Sequence, residues 1–314
     1  MSQVAVLSAN GLGDALLTRI LCHHFENLGA CVTLFHPKHE TLYALFPKAS
    51  FAPYPPLETF ASFFSKYTLI ILENDHSEIA WTLLHLRERG LLPQLKVVFP
   101  TPNVRMQKAY DYVCLGPYAL ATHLSFACQY FHPTSTLSKD NGLLKLQENK
   151  IQNQVLLHPT SLDKKRNWKQ EQFMCLATKL TLLGFSPIFS VSRQEYPDWA
   201  FLTQKGFAIA ANDSLKELAH LCASSCYFIG NDSGVGHLAS NLGVPTLTLA
   251  GNLKRVKLWR PDWSLNMLAT PSLPLPNFKG LHLRLRENFW QNFVSVSKVL
   301  KRFQKLVERS HSWY

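Results

Sequence analysis

Phe228-Ile229-Gly230-Asn231-Asp232-Ser233-Gly234-Val235-Gly236-His237-Leu238-Ala239-Ser240-Asn241-Leu242-Gly243-Val244-Pro245 decides the fold class. The apolar run 226–229 has the character of a short interior strand. Asn231, Asp232, Ser233 and Gly234 interrupt it with residues that favour turns and helix caps. Helical character then runs over 235–241, with Gly243 as the stop and Pro245 beyond it. Thr246-Leu247-Thr248-Leu249 is the next strand. A helix N-terminus therefore opens at the end of a parallel strand. Free N–H groups and the helix dipole make such a place suited to an anion.

The chain leading up to this stretch is a series of α/β units. Val4-Ala5-Val6-Leu7-Ser8 is a first strand, followed by the Gly-rich turn Ala9-Asn10-Gly11-Leu12-Gly13-Asp14. A helix over 15–28 carries Leu17, Ile20, Leu21, His24, Phe25 and Leu28 on one face and stops at Gly29. Strand 31–35 completes a βαβ crossover, which implies parallel pairing. The Gly11-x-Gly13 turn lacks the third Gly of a dinucleotide fingerprint. His36-Pro37 also stands where an acidic residue would end the second strand, so a dinucleotide dehydrogenase is disfavoured. Strands follow at 68–72 and 96–99. Helices are expected at 77–90 and 106–131, the latter broken at Gly116-Pro117. His76 reads as part of a polar loop. The polar segment 132–153 is placed as the linker between two domains.

A second α/β series opens at 154–157. His158-Pro159-Thr160-Ser161-Leu162-Asp163-Lys164-Lys165-Arg166-Asn167-Trp168 follows, then a helix over 171–183. Strand 187–191 ends near Glu195, and strand 207–210 and helix 215–223 lead back to the opening stretch. Beyond Gly251, Lys254, Arg255, Lys257 and Arg260 crowd around Trp259 and Trp263, and 271–280 is Pro-rich and irregular. Phe289, Phe293, Val296, Leu300, Phe303 and Val307 form one continuous stripe, which predicts a single helix over 287–309.

Three of these segments resemble glycosyltransferase family 9, the heptosyltransferases of bacterial lipopolysaccharide core assembly. They are Asp232-Ser233-Gly234-x-x-His237 with Gly243-x-Pro245, the loop Gly11-Leu12-Gly13-Asp14-Ala15-Leu16-Leu17, and the run His158 to Trp168. The resemblance implies a catalytic base at Asp14, hydroxyl donors to phosphate at Thr160 and Ser161, and a phosphate cation at Lys165. Asn167 stands between Arg166 and Trp168, where the family has a basic residue directly before Trp. The choice among Lys164, Lys165 and Arg166 therefore stays open. Glu195 matches an acidic residue set against the nucleoside ribose. Asp232, Ser233, Gly234 and His237 complete the donor-binding set, and Gly13 lets the backbone approach an acceptor sugar closely. The bland alternatives are an N-cap for Asp14 and Asp232 and a solvated basic loop for 164–166.

The resemblance implies a GT-B-like α/β fold, two Rossmann-like domains facing a central cleft. Residues 1–150 would bind the acceptor and 151–290 the nucleotide sugar. Residues 291–314 would form a basic amphipathic helix and tail that crosses back to the first domain. It also implies ADP-heptose as donor and an anionic glycolipid acceptor, with no cofactor. No Asp-x-Asp pair occurs, so Lys and helix dipoles are expected in place of a metal. With the base across the cleft from the donor, one inverting displacement is the simplest route. A nucleotide-sugar epimerase of the same fold and a basic nucleic-acid-binding protein are the competing readings. No recognised nucleic-acid module supports the latter.

Composition sets the remaining bounds. The chain has 314 residues, 46% of them hydrophobic, enough for two domain cores. The net charge of +11 is uneven, because residues 251–314 hold 12 Lys and Arg against 3 Asp and Glu. Such a patch fits a phosphorylated substrate, an anionic lipid surface or a nucleic acid. Seven scattered cysteines without a Cys-x-x-Cys pair fit a reducing cytoplasm. No apolar run is long enough to span a bilayer, and the first residues lack a signal-peptide pattern. A cytoplasmic protein is expected, with peripheral association at the inner membrane through the basic C-terminal face.

Overall fold

The computed structural model describes residues 1–73, 77–99, 110–272 and 289–311. The chain divides into two compact units, Met1–Leu144 and Lys145–Tyr314.

The first unit contains β1 (Gln3–Leu7), α1 (Leu12–Asn27), β2 (Cys31–Phe35), α2 (His39–Leu42), β3 (Ser50–Ala52), α3 (Phe60–Phe64), β4 (Leu69–Glu73), α4 (Glu78–Glu88), β5 (Leu95–Phe99), β6 (Tyr112–Val113) and α5 (Leu120–Phe131). The strands lie in the order β3-β2-β1-β4-β5-β6, and every pairing is parallel. The central register sets Val4 opposite Leu69 and Leu7 opposite Leu72. β1 is apolar on both faces because both are covered, with Val4, Ala5, Val6 and Leu7 all buried. Ala5 and Leu7 pack with Phe60, Phe64, Ile70 and Leu72 in one core cluster.

The second unit contains β7 (Gln154–His158), α6 (Gln170–Leu182), β8 (Ser186–Ser192), α7 (Tyr196–Trp199), α8 (Phe201–Gln204), β9 (Ala208–Asn212), α9 (Leu215–Ser224), β10 (Tyr227–Asn231), α10 (Gly234–Asn241), β11 (Thr246–Leu249), α11 (Leu253–Trp259), β12 (Asn266–Ala269) and α12 (Val296–His311). Its order is β12-β11-β10-β7-β8-β9, again wholly parallel. Counted from the first strand of each unit, the two sheets have the same doubly wound order. In each, the direction of winding reverses beside the first strand, between β1 and β4 and between β7 and β10. Ligands of such sheets bind outside the carboxyl ends of the strands at that switch point.

Gly230 fits only because it has no side chain. A Cβ there would lie 2.7 Å from the Phe228 ring and 3.0 Å from the His158 carbonyl oxygen. This lets β10 and β7 reach the switch point side by side.

Two sequence-based expectations are corrected. Residues 110–119 are not helical. Tyr112–Val113 pairs with Val98–Phe99 as an edge strand, and Asp111 is tied to Arg87 at 2.6 Å and to the Val97 N–H at 2.8 Å. Gly116 then takes φ +111°, which ends any helical path. Residues 100–109 of that segment, and His76, lie outside the described residues.

The single helix over 287–309 is instead a short 3-10 turn, Trp290–Phe293, and a helix beginning at Val296. Ser295 supplies the cap, its Oγ accepting the Lys298 N–H at 3.2 Å. Phe289 and Phe293 consequently leave the stripe and stand about half exposed, at 47% and 53%. The helix buries its apolar face within the second unit. Val299, Phe303 and Leu306 join Val155, Phe189, Tyr227 and Leu247 in one core. Phe303 meets the rings of Phe185 and Tyr227 edge-on.

Candidate functional site

In the second unit the switch point carries the loop after β7 and the turn after β10. Asn231, the last residue of β10 and buried, stitches the two together. Its Nδ2 donates to the Pro159 carbonyl at 2.7 Å, and its Oδ1 accepts the Trp168 N–H at 2.9 Å. The start and the end of the 159–168 loop are thus anchored to the strand that leads into α10. Between the anchors, Thr160 is buried. Ser161 Oγ lies 2.6 Å from Asn167 Oδ1 and 2.9 Å from the Asp163 carbonyl. Asn167, the departure from the family pattern, is therefore a fastening inside the loop.

Lys164–Arg166 form a 3-10 turn capped by Asp163, whose Oδ1 accepts the Lys165 N–H at 3.0 Å. The Lys164 and Lys165 side chains project into solvent, and Arg166 is half-buried with Asp163 at 3.8 Å.

The turn after β10 faces the same edge. Ser233 is the N-cap of α10, in extended backbone, yet its side chain makes no capping hydrogen bond. Among the described residues its buried Oγ has no partner. A hydroxyl and the first N–H groups of a helix thus meet where an anion is favoured. Asp232 is half-buried beside them. Burial raises its carboxyl above the usual range, and the guanidiniums of Arg166 and Arg255 oppose that rise. Arg255, on α11, is a cation of this edge that the sequence reading placed only in a basic crowd.

His237 lies one turn into α10 and is only 4% exposed. Its ring stands edge-on to Trp263, with centroids 6.1 Å apart. Burial pushes its pKa down to about 4, against a backbone hydrogen bond to Trp259. His237 is thus a neutral imidazole set into the packing between α10 and the 259–263 segment.

Glu195 is one strand further along the edge. Its Oε2 accepts the Ser192 N–H at 2.9 Å and the Ser192 hydroxyl at 2.8 Å, closing the turn after β8. Buried His158, between Glu195 and the switch point, is within hydrogen-bond distance of the Ser190 carbonyl at 2.9 Å. That contact puts the proton on Nδ1, because a carbonyl can only accept. Burial lowers the pKa of His158.

The first unit has its own switch point. Gly13 and Asp14 lie in the first turn of α1, both half-buried. Asp14 Oδ2 accepts the Gly11 N–H at 3.0 Å, so this carboxylate does serve the helix terminus. Any Cβ on Gly11 would come within 2.5 Å of that oxygen. Two further groups flank the loop. Glu73 ends β4, is 2% exposed, and accepts the Ala9 N–H at 3.4 Å. His36, just beyond β2, is fully buried. Its Nδ1 accepts the Lys38 N–H at 3.0 Å, which puts its proton on Nε2.

The structure thus gathers Thr160, Ser161, Lys164, Lys165, Asp232, Ser233 and Gly234 at one switch point. Glu195 lies on the same edge, His237 lies inside the packing, and Gly13 and Asp14 lie at the switch point of the other unit. Asn231, Arg255, Glu73 and His36 were not singled out from sequence. For Asn231 and Glu73 a signal existed, since each is a polar residue ending an apolar strand at the switch point.

The family model for glycosyltransferase family 9 (heptosyltransferase) matches residues 65–271, which include the last strands of the first unit and most of the second. The chain belongs to glycosyltransferase family 9. Lipopolysaccharide heptosyltransferase 3 of Escherichia coli is 25% identical to this family-9 chain over 167 residues, covering 51% of this chain and 48% of that protein. The match thus spans about half the length of that curated relative.

Among solved structures, E. coli ADP-heptose lps heptosyltransferase II shares the fold at a TM-score of 0.66, covering 99% of this chain and 100% of that one at 14% identity. A family 9 glycosyl transferase from Veillonella parvula gives 0.65, with 98% of each chain covered at 12% identity. At those identities the likeness is one of fold. The family-9 chain thus has the GT-B-like α/β class, two Rossmann-like units in one polypeptide. Among its described residues no helix is long and apolar enough to cross a membrane.

Proposed function

We propose that this family-9 chain moves heptose from ADP-heptose to a hydroxyl of a lipopolysaccharide core acceptor. The step is a single displacement that inverts the anomeric carbon. The acceptor oxygen forms its bond to that carbon as the bond to the diphosphate oxygen breaks. The electron pair leaves with ADP, and the proton of the hydroxyl passes to Asp14 as general base. Lys165, with Lys164 and Arg166 beside it, and the N–H groups opening α10 take up the charge on the departing diphosphate. Thr160 and the Ser233 hydroxyl add donors there, and Glu195 lies where it can accept from ribose hydroxyls. The protein's own cations serve in place of a metal ion.

The observation that carries this reading is the Asn231 stitch. It holds a three-cation turn and a helix N-terminus with an unpartnered hydroxyl at one switch point, the place such sheets use for nucleotides. Support for the donor comes from a structural relative named an ADP-heptose lps heptosyltransferase. We place the reaction on the cytoplasmic side of the inner membrane. There the outward cations of α12, Lys301, Arg302, Lys305 and Arg309, would meet anionic headgroups.

A melting-temperature panel of ADP, ADP-heptose, UDP-sugars and GDP-sugars tests the donor, because a ligand of the native state raises apparent stability. ADP and ADP-heptose should raise it and the others should not. If no nucleoside diphosphate raised it, the reading would be lost. A preference for UDP would replace the donor and leave the reaction class standing.

A further inference from the structure

The three-cation turn is exposed and short, and two anchors at its ends do not by themselves fix its middle. A third anchor comes from a part of the chain more than a hundred residues away. The Lys165 carbonyl accepts the Trp290 indole N–H at 3.0 Å and the Gln291 side-chain amide at 3.0 Å. A carbonyl oxygen has two lone pairs, and both are used.

The indole is itself seated firmly. Trp290 is 2% exposed. It packs on Gly251, two residues past β11, so closely that a Cβ there would lie 2.5 Å from its Cγ and 2.8 Å from its Cδ1. Residue 251 has to be glycine for Trp290 to reach the turn. The other end of the 290–294 segment is held too, because the Val294 carbonyl accepts Trp168 Nε1 at 2.9 Å and Gln172 Nε2 at 3.3 Å. A strut therefore runs from the end of β11 through Trp290 to the backbone of Lys165.

We infer that Trp290 and Gln291 are positioning residues for the donor diphosphate, acting through the backbone of the Lys164–Arg166 turn. This inference rests on the proposed function of that turn. Two physical consequences support it. An exposed loop that must be ordered on binding loses affinity, and one ordered beforehand does not. A carbonyl engaged by two donors also cannot swing its negative end toward a bound anion. Nothing in the packing of the exposed lysines would otherwise require two side-chain donors on one surface carbonyl.

The test is a coupling experiment read by calorimetric titration with ADP. Trp290→Phe keeps a ring against Gly251 and removes the N–H. Gln291→Ala removes the second donor from a partly exposed site and keeps the core intact. Together they should weaken ADP binding about five- to tenfold, each full factor of ten being about 1.4 kcal/mol. Saturated turnover should fall as well, because the same turn takes up the charge on the departing diphosphate. In a background with Lys164, Lys165 and Arg166 all changed to alanine, the same pair should alter ADP affinity by less than about twofold, because partners acting through one another are not additive.

Equal losses in both backgrounds would reduce Trp290 and Gln291 to general supports and overturn the inference. So would wild-type affinity in the Trp290→Phe/Gln291→Ala protein. Should the Trp290 variant fail to fold, Gln291→Ala alone decides by the same criterion. If the triple-alanine protein bound ADP as tightly as wild type, the phosphate role of the turn would itself fail. That outcome is distinct from loss of this inference alone.

Discussion

Asn231 holds the backbone N–H of Trp168 at 2.9 Å, bridging a strand end to the far side of the basic loop. Its other end holds the Pro159 carbonyl at 2.7 Å, and the residue is 1% exposed. Replacing it with alanine strands a buried donor and an acceptor, each costing about 1–3 kcal/mol. Asn231→Ala should therefore lower the unfolding free energy of the second unit by roughly 2–4 kcal/mol in urea titration. Asn231→Asp keeps the acceptor for Trp168 and should lose the Pro159 bond. An alanine variant as stable as wild type would show that the stitch contributes little.

Asp14 has two assigned duties, and asparagine separates them. The amide oxygen of Asp14→Asn can still accept the Gly11 N–H, but it cannot take up a proton as a base. The variant should melt within about 2 °C of wild type while kcat falls by about 10²–10⁴-fold, the range for loss of a general base. ADP affinity should be unchanged. Wild-type turnover in this variant would remove Asp14 from the base role.

His36 in the first unit and His237 in the second are both held near a pKa of about 4, chiefly by burial. Lys38 and His39 add to the depression at His36, and the Asn10 and Gly11 backbone opposes it. The folded chain therefore prefers neutral rings, while the unfolded chain takes up protons below about 6.5. Stability is whole above that pH, falls as pH drops toward 4, and levels off below it. Each ring contributes roughly 3 kcal/mol to that fall, an order-of-magnitude figure. His36→Asn retains an acceptor for the Lys38 N–H and cannot be charged. Its urea stability should overtake wild type in relative terms between pH 6.5 and 4; a constant difference would contradict the assignment.

The outward face of α12 offers a test of membrane docking. Wild-type protein should sediment with vesicles containing phosphatidylglycerol and not with neutral phosphatidylcholine vesicles, and binding should weaken with salt. Changing Lys301, Arg302, Lys305 and Arg309 to glutamate should abolish sedimentation while leaving turnover on a soluble acceptor. Undiminished sedimentation of that variant would place lipid contact elsewhere.

Much of the fold could be read from sequence, for a physical reason. Strands buried on both faces, such as β1, β4, β7 and β10, are unbroken apolar runs. Glycine marks the turns that follow α1 and α10. Those signals are local. The misread segments depend on distant partners instead. Residues 110–119 take their path from Asp111 pairing with Arg87, and 289–295 from Trp290 seated on Gly251. The site divides the same way. Residues that meet solvent at strand ends, Asp14, Lys165 and Asp232, stand in motifs with fixed spacing. Asn231, Trp290 and Arg255 act on residues elsewhere in the chain or from a separate helix, and no spacing records that.

The placement of α12 bears on how the protein is made. Val299, Phe303 and Leu306 cover a sheet whose described strands all precede them in the chain. Until residues 296–311 are made, the second unit has its described strands but lacks the lid of its core, whereas every described element of the first unit precedes them in the chain. An incompletely covered apolar sheet is an aggregation hazard. Nascent chains stalled before residue 296 should therefore be the ones that engage a chaperone.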